Sequence, residues 1–203
     1  MNDSLPFEPA IQGTRDAGTC QPPETPVLPF DQPVFLVGMM GAGKTTIGRQ
    51  LARVLNREFM DLDHELEARC GVRVSLIFDI EGEEGFRRRE TAALDECSRK
   101  PGIVLATGGG AVLSPQNRLY LKERGVVVYL RASAEELFRR LARDRSRPLL
   151  QTADPQARIN ELIAQREPLY ESIADLTIET GAMPVTQVLR VLVPMLQHHE
   201  VTP

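Results

Sequence analysis

A glycine-rich segment between an apolar run and a helical pattern constrains the fold of this chain more than any other feature. Residues 38–45, GMMGAGKT, match the pattern GxxxxGK[ST] in full. The apolar run Val34–Val37 precedes the segment, and apolar residues at the spacing of one helix face follow it. Such a strand-loop-helix unit wraps backbone N–H groups around a phosphate at a helix N-terminus. The segment therefore predicts a nucleotide-binding α/β domain.

The remaining sequence repeats the alternation of short apolar runs with helical stretches. This alternation is typical of a parallel sheet with helices on both faces. We predict a three-layer α/β/α fold with five strands. After the first strand, they are expected at about 58–61, 103–107, 126–130 and 176–180. Among the helices, we expect segments at about 63–70 and 83–99, and one that begins at Asp154 and Pro155 and ends near Glu167.

The first 33 residues differ in composition from the rest of the chain. They hold seven of the 15 prolines and no apolar periodicity. The formal net charge of the whole chain, −4, belongs to residues 1–32, so the remainder is neutral. We predict a disordered, proline-rich leader over 1–33 and one domain over 34–203. A neutral domain does not favour nucleic-acid binding, which needs a broad basic face.

Cysteine usage and hydropathy bear on the compartment. The three cysteines are widely spaced and include no CxxC pair, so neither a disulfide framework nor a zinc site is indicated. No apolar run reaches the length of about 18 residues that a membrane-spanning helix needs. These features predict a cytoplasmic protein without a membrane partner, and we expect a monomer.

The phosphate loop assigns the first catalytic groups. Lys44 is expected to bridge the β- and γ-phosphates of ATP, and the Thr45 hydroxyl is expected to ligate Mg²⁺. Besides this hydroxyl, the metal needs a carboxylate from another part of the chain. Asp61 and Asp63 are the best candidates, because they follow the second strand, at the sheet edge where parallel sheets bind ligands. One carboxylate could hold a metal-bound water while the other orients a substrate hydroxyl. Alternatively, Asp63 could be the N-cap of the next helix.

Two further segments are candidates for ligand contact. The glycines at 108–110 leave the backbone bare after the third strand, which suits close approach of a substrate or phosphate, although a plain loop is the alternative. An arginine-rich stretch at 139–147 ends where a helix breaks into a polar segment. We predict a mobile lid at about 144–155, with Arg147 brought over the γ-phosphate on closure. The other arginines of that stretch could simply be solvated.

With these residues in place, the sequence resembles the shikimate kinase family over about residues 34–197. Six motifs carry the resemblance, in order: GMMGAGKTTIGRQLA at 38–52, DLD at 61–63, S.IF...GE..FR..E at 75–90, ATGGGAV at 106–112, RPLL at 147–150 and R.PLY at 166–170. The resemblance implies a fold like that of nucleoside monophosphate kinases, with strand order 2-3-1-4-5. It also implies transfer of the ATP γ-phosphoryl group to the 3-hydroxyl of shikimate.

The resemblance also implies residue roles. Asp63 would contact the substrate hydroxyls and accept a proton, while Arg87 and Arg166 would bind the carboxylate and Glu90 would hold Arg87. Asp61 would support Mg²⁺ through water. The ring of shikimate would be lined by Gly108, Gly109 and Gly110. Arg140 would pack on the adenine of ATP. The other residues that would hold ATP are Gly41, Ala42, Gly43, Lys44, Thr45, Thr46 and Arg147.

One departure from the family and two alternatives are open at this stage. The loop at 181–184 lacks the arginine that the family often offers to the nucleotide. A gluconate-type sugar acid kinase would keep the phosphate loop but gives no reason for the other motifs together. A catalytically silent binding module would be favoured by loss of Lys44, Asp63 or Arg147, and all three are present.

Overall fold

Five strands form one parallel sheet in the computed structural model, which describes residues 28–142, 152 and 154–199. The strands are β1 Val34–Val37, β2 Glu58–Asp61, β3 Ile103–Ala106, β4 Val126–Arg131 and β5 Leu176–Glu179. Their order is β2-β3-β1-β4-β5, as the resemblance implied. Strands β1 and β3 are buried along their whole length, as expected of central strands covered on both faces.

The helices connect these strands and surround the sheet. They are α1 Lys44–Val54, α2 Leu62–Cys70, α3 Val74–Cys97, α4 Pro115–Arg124, α5 Ala134–Leu141, α6 Pro155–Glu171 and α7 Val185–Gln197, with a short 3-10 helix at Ala111–Leu113. Helix α1 packs against α7, and α3 packs against α4. The three-layer α/β/α prediction is confirmed. No helix of the described residues is long and apolar enough to cross a bilayer.

The strand register places the functional segments at one edge. Leu36 of β1 and Asp61 of β2 both pair with Ala106 of β3, so these strands end at the same level. The phosphate loop, the Asp61 region and the glycine loop 108–110 follow those ends. Three segments that are far apart in sequence therefore meet at the carboxyl edge of the sheet.

Helix α3 begins earlier than the sequence predicted. The expected helix covered about 83–99, whereas the helix runs from Val74 to Cys97 with a kink at Gly82. Gly82 has φ 69° and ψ −176°, a backbone conformation that other residues rarely adopt. The glycine interrupts the helical backbone, and the chain resumes the helix after it.

Helix α6 begins where the sequence predicted and ends later. The side chain of Asp154 accepts a hydrogen bond from the Ala157 N–H at 2.9 Å, as an N-cap does, and Pro155 occupies the first turn. The expected end was near Glu167, but the helix continues through Pro168 to Glu171. A single proline removes only one backbone donor, and Tyr170 is fully buried beyond it, so packing favours the extra turn.

The last six residues of the predicted leader lie against the domain. Leu28 is buried, and the Arg57 guanidinium donates to the carbonyl oxygens of Phe30 and Gln32 at 2.5 and 2.8 Å. The Asp31 carbonyl accepts from the Gly102 N–H at 2.7 Å. The boundary placed at residue 33 was therefore wrong for residues 28–33. Their proline content suggested disorder, although the apolar residues Leu28 and Phe30 pack against the domain. Residues 1–27 lie outside the described residues.

Candidate active site

The phosphate loop has the backbone geometry that its glycines allow. Gly38, Gly41 and Gly43 have φ values of 140°, 80° and 97°. A β-carbon at Gly38 would also lie 2.5 Å from the Leu130 carbonyl oxygen, so a side chain is excluded there. The loop leads directly into α1, whose N-terminus attracts anions.

Lys44 is folded over this loop. Its Nζ atom donates to the carbonyl oxygens of Gly38 and Met39 at 2.8 and 2.9 Å, and the side chain is buried. These bonds keep the ammonium group at the mouth of the loop. It lines a cleft of about 420 Å³ together with the predicted ATP-binding residues Gly41, Ala42, Gly43, Thr45, Thr46 and Arg140.

Asp61 links the phosphate loop to helix α2. Its Oδ2 atom accepts from the Thr45 hydroxyl at 2.7 Å, and its Oδ1 atom accepts from the Asp63 N–H at 3.1 Å. The N-cap of α2 is therefore Asp61, so the alternative that gave this role to Asp63 is wrong. A hydroxyl and a carboxylate at this distance supply the hard oxygen atoms that Mg²⁺ prefers, with further positions for phosphate oxygens and water.

Asp63 lies in the first turn of α2 and faces two clefts. It lines the 420 Å³ cleft and also a neighbouring cleft of about 690 Å³. A β-carbon at Gly108 would lie 3.3 Å from its Oδ1 atom, so the carboxylate and the glycine loop are close. The two clefts share a wall of Met40, Thr45, Asp61, Asp63 and Gly109. A group at this wall is accessible from both sides.

The larger cleft contains a buried ion pair. The Arg87 guanidinium lies 2.6 Å from Glu90, whose side chain is fully buried, and 3.2 Å from the more exposed Glu83. Burial raises the pKa of the Glu90 carboxyl, and the positive charge of Arg87 opposes that rise. Burial disfavours charge on Arg87 too, but Glu90 outweighs it and raises the pKa of the guanidinium. The pair holds Arg87 in one orientation, as the resemblance implied.

Arg166 is the second cation of the larger cleft. It comes from α6, is only 3% exposed, and donates through Nη1 to the Gly109 carbonyl at 3.3 Å. Burial lowers the pKa of its guanidinium, which nevertheless stays protonated at any physiological pH. The Nε atoms of Arg87 and Arg166 are buried without a hydrogen-bond partner. Buried donors without partners favour an anionic ligand in this cleft.

The glycine loop passes between these groups with no room for side chains. A β-carbon at Gly108 would lie 2.6 Å from Glu90 Oε1, and one at Gly110 would overlap the Arg87 guanidinium. A β-carbon at Gly109 would lie 3.1 Å from the Met40 N atom. The plain-loop alternative is therefore wrong, because the glycines are required by close packing of the site.

Arg140 lies on the nucleotide side of the smaller cleft. Its guanidinium donates to the carbonyl oxygens of Gly41 and Thr180, at 3.1 and 2.9 Å, and to that of Gly181. It also pairs with Glu136 at 2.8 Å. The arginine thus ties the phosphate loop to the 181–184 loop. Met183, Val185 and Val188 supply an apolar lining there, in place of the absent arginine. Arg147 and most of the expected lid lie outside the described residues.

Several lining residues were missed or misjudged from the sequence. Met40, inside the phosphate loop, lines both clefts. His64 is exposed and lines the larger cleft. Spacing could have suggested His64, one residue beyond Asp63. The other missed residues are Arg49, Glu67, Arg73, Val74, Ser75, Phe78 and Phe86.

Sequence and structure comparisons agree on one group of relatives. A sequence model described as "Shikimate kinase" matches residues 40–197. A shikimate kinase of Bordetella avium is 67% identical over 173 residues, which cover 85% of this chain and 83% of the relative. The crystal structure of Acinetobacter baumannii shikimate kinase in complex with shikimate superposes with a TM-score of 0.78 at 46% identity. That match covers 81% of this chain and 93% of the other.

A sugar acid kinase shares only the fold. A gluconokinase from Sinorhizobium meliloti superposes with a TM-score of 0.57 at 17% identity, over 82% of this chain and 92% of the other. At that identity the likeness carries the architecture and nothing about the acceptor. The sequence and structural matches therefore separate the two kinase hypotheses that the sequence motifs left open.

Proposed function

The chain belongs to the shikimate kinase family, and from this premise we propose that it phosphorylates the 3-hydroxyl of shikimate with ATP. The products are shikimate 3-phosphate and ADP, on the route to chorismate and the aromatic amino acids. The enzyme is an ATP-dependent phosphotransferase with an alcohol as acceptor. The observation that carries the assignment is the wall shared by the phosphate-loop cleft and the arginine-lined cleft.

The larger cleft suits a small, polar carboxylic acid. Two buried guanidinium groups, Arg87 and Arg166, offer charge-assisted hydrogen bonds to a carboxylate. Glu90 keeps Arg87 from turning away, since their atoms are 2.6 Å apart. The bare backbone of Gly108, Gly109 and Gly110 lets a hydroxylated ring approach closely. These contacts fix the ring so that one hydroxyl faces Asp63.

Phosphoryl transfer requires mainly alignment and charge neutralisation. In our proposal Asp63 orients the 3-hydroxyl and accepts its proton as the oxygen attacks the γ-phosphorus. Lys44, at the mouth of the loop, neutralises the β- and γ-phosphate oxygens, while the N–H groups of residues 41–46 hold the phosphates. We propose that Arg147 completes the site on the nucleotide side and that Arg140 supports the adenine end.

The residues at the shared wall also fit a magnesium ion. Thr45 and Asp61, whose oxygens are 2.7 Å apart, would hold it, with Asp61 acting through a water molecule. When bound, Mg²⁺ supplies charge neutralisation at the β- and γ-phosphates. We further propose a cytoplasmic monomer, with the small molecules shikimate and ATP as its partners.

A substrate panel tests the proposal. ADP release is measured by a coupled assay with shikimate, gluconate and nucleoside monophosphates at equal concentrations. We expect rapid turnover with shikimate alone. Turnover that favours gluconate or a nucleotide would refute the assignment. A Lys44→Ala variant serves as the control for contaminating kinases and should be inactive with every acceptor.

A further inference from the structure

Tyr170 is a fully buried residue that contacts the glycine loop, and the mechanism proposed above gives it no role. It is the last residue of the R.PLY motif, one helical turn after Arg166 on α6. Its hydroxyl donates to the Gly109 carbonyl at 2.5 Å and lies 3.7 Å from the Met39 sulfur. Its ring stacks on that of Tyr129, with centroids 5.1 Å apart. The residue thus joins α6, the glycine loop and the phosphate loop.

The glycine loop needs such an anchor, because three consecutive glycines have little conformational preference of their own. The loop is fixed before and after Gly109. The N–H and hydroxyl of Thr107 both donate to the Leu36 carbonyl at 3.1 Å, and the Ala111 N–H donates to the Gly108 carbonyl at 3.1 Å. Within the described part of the chain, the carbonyl of Gly109 between them accepts hydrogen bonds only from side chains of α6, those of Tyr170 and Arg166.

The orientation of this peptide matters to the cleft. In a planar trans peptide the N–H of Gly110 points opposite to the carbonyl of Gly109. Among the described residues, neither the N–H of Gly109 nor that of Gly110 donates a hydrogen bond, and both glycines line the larger cleft. A rotation of the peptide would replace a donor by an acceptor beside an anionic substrate. Holding the carbonyl toward α6 prevents that rotation.

The same bond affects Arg166. Both groups donate to one carbonyl oxygen, but the Tyr170 contact is shorter, at 2.5 Å against 3.3 Å. Burial raises the pKa of the Tyr170 phenol, so it stays a neutral donor across the physiological range. Because the phenol makes the shorter contact, the carbonyl does not depend on the arginine alone, and the Nε atom of Arg166 is buried without a hydrogen-bond partner. Its guanidinium is then available to a carboxylate.

We propose that Tyr170 is a positioning residue for the acceptor substrate: its hydroxyl holds the Gly109 carbonyl toward α6, orients the glycine loop and leaves Arg166 for the substrate carboxylate. The inference deepens the proposed function and rests on it. It predicts a defect in acceptor binding when the hydroxyl is removed, with little effect on the nucleotide or on the chemical step.

The test compares the full chain with Tyr170→Phe and with Tyr129→Phe as the matched control. Tyr129 is also buried and takes part in the same ring stack, but its hydroxyl makes no hydrogen bond to a described residue. Loss of one buried hydrogen bond that positions a ligand should raise the KM for shikimate on the order of tenfold in Tyr170→Phe. The KM for ATP and kcat should stay within about threefold, as for lost uniform binding. Tyr129→Phe should leave all three unchanged.

Amide hydrogen exchange supplies a readout that a general packing role would not change. We expect faster exchange at Gly109 and Gly110 in Tyr170→Phe, with the central strands β1 and β4 unaffected. An unchanged KM for shikimate, an equal rise in the KM for ATP, or a variant that fails to fold would each overturn the inference. Absence of shikimate turnover in the unaltered chain would instead refute the proposed function, so the two failures are distinguishable.

Discussion

At the scale of single residues, Asp63 is the residue on which the proposed chemistry depends most. It lies at the wall that the two clefts share, in the first turn of α2. Asp61, two residues earlier, is already engaged by the Thr45 hydroxyl and the Asp63 N–H. The two carboxylates therefore have different environments, and only Asp63 reaches the acceptor cleft without also capping a helix.

Replacing Asp63 by Asn tests its role as the proton acceptor. The amide keeps the size of the side chain but cannot take the proton, so kcat should fall about 10²–10⁴-fold. Shikimate affinity, measured by calorimetry, should change little. As a control, Asp61→Asn should raise the requirement for Mg²⁺ more than it lowers kcat at saturating metal. Turnover close to that of the unaltered chain in Asp63→Asn would remove this residue from the mechanism.

Replacing Arg166 by Lys tests the carboxylate fork. Lysine keeps the charge but not the planar pair of donors, and an ammonium group in a site that is 3% exposed also loses more hydration. We expect the KM for shikimate to rise roughly 10–100-fold, as when a charge-assisted hydrogen bond is lost. Arg124→Lys is the matched control, because Arg124 is also partly buried but bonds to Ser98 and Asp95. Equal effects in both variants would contradict the assignment.

The sequence could suggest these residues because motif spacing and strand ends determine where they lie. Lys44 and Thr45 follow from the loop pattern, and Asp61 and Asp63 follow from their place after a strand. Tyr170 was not predicted as a site residue. A buried tyrosine on an apolar helix face looks like core in a sequence, and only the fold brings its hydroxyl to Gly109.

At the scale of elements, the kinked helix α3 was the largest difference from the sequence prediction. Its first half, Val74–Glu81, carries Ser75 and Phe78 into the larger cleft, and its second half carries Phe86, Arg87 and Glu90. Gly82 separates the halves. Across this kink, the Arg89 guanidinium donates hydrogen bonds of 2.6 to 3.0 Å to both carboxylate oxygens of Glu81. A clamp between residues eight apart is invisible to helical periodicity.

Replacing Glu81 by Gln should loosen the first half of α3. The bonds from Arg89 hold the pKa of the Glu81 carboxyl below its usual range. In the unfolded chain this carboxyl has a pKa of about 4.3. Because its pKa is lower in the folded state, the ionised carboxylate stabilises the fold above that pH, and this stabilisation is lost as the pH falls through the pKa of the folded state. The free energy of unfolding of Glu81→Gln should therefore fall short of that of the unaltered chain at pH 7, and the difference should shrink toward pH 3.

Denaturant titrations at pH 7 and pH 3 measure this difference. The pair Arg88–Glu84, exposed at 69% and 90%, provides the control, since Glu84→Gln should have little effect at either pH. A rise in the KM for shikimate in Glu81→Gln, with the KM for ATP unchanged, would link the clamp to the acceptor cleft. A stability difference that stays constant with pH would show that the Glu81 charge is not involved.

At the scale of the whole molecule, the layers could be predicted from the alternation of strands with helices, and the family resemblance implied the strand order. The N-terminal boundary of the domain could not be predicted. Residues 28–33 have the proline content of a leader, yet Leu28 is buried and the Phe30 ring lies against Arg57, 5.4 Å from its guanidinium carbon. The opposite end of the chain meets the same ring, because His199 lies edge-on to Phe30 at 6.4 Å. Contacts between distant segments leave no local pattern.

Two truncations separate the leader from this strap of residues 28–33. Removing residues 1–27 should leave both Tm and kcat unchanged, because their composition offers no periodic apolar face to bury. Removing residues 1–32 also removes the buried side chain of Leu28. The Arg57 guanidinium then loses its two hydrogen-bond acceptors, the carbonyl oxygens of Phe30 and Gln32. The free energy of unfolding should then fall by about 2–3 kcal/mol. For a domain of this size, that corresponds to a Tm lower by roughly 5–10 °C.

Activity distinguishes a stabilising strap from a part of the site. The strap contacts Arg57, Gly102 and His199, none of which lines either cleft. Well below its Tm, the protein lacking residues 1–32 should therefore keep the KM values and kcat of the full chain. Phe30→Ala should reproduce part of the loss in Tm without truncation. If the shorter truncation lowered Tm as much as the longer one, the stabilising contacts would have to lie before residue 28, and the strap would not be their source.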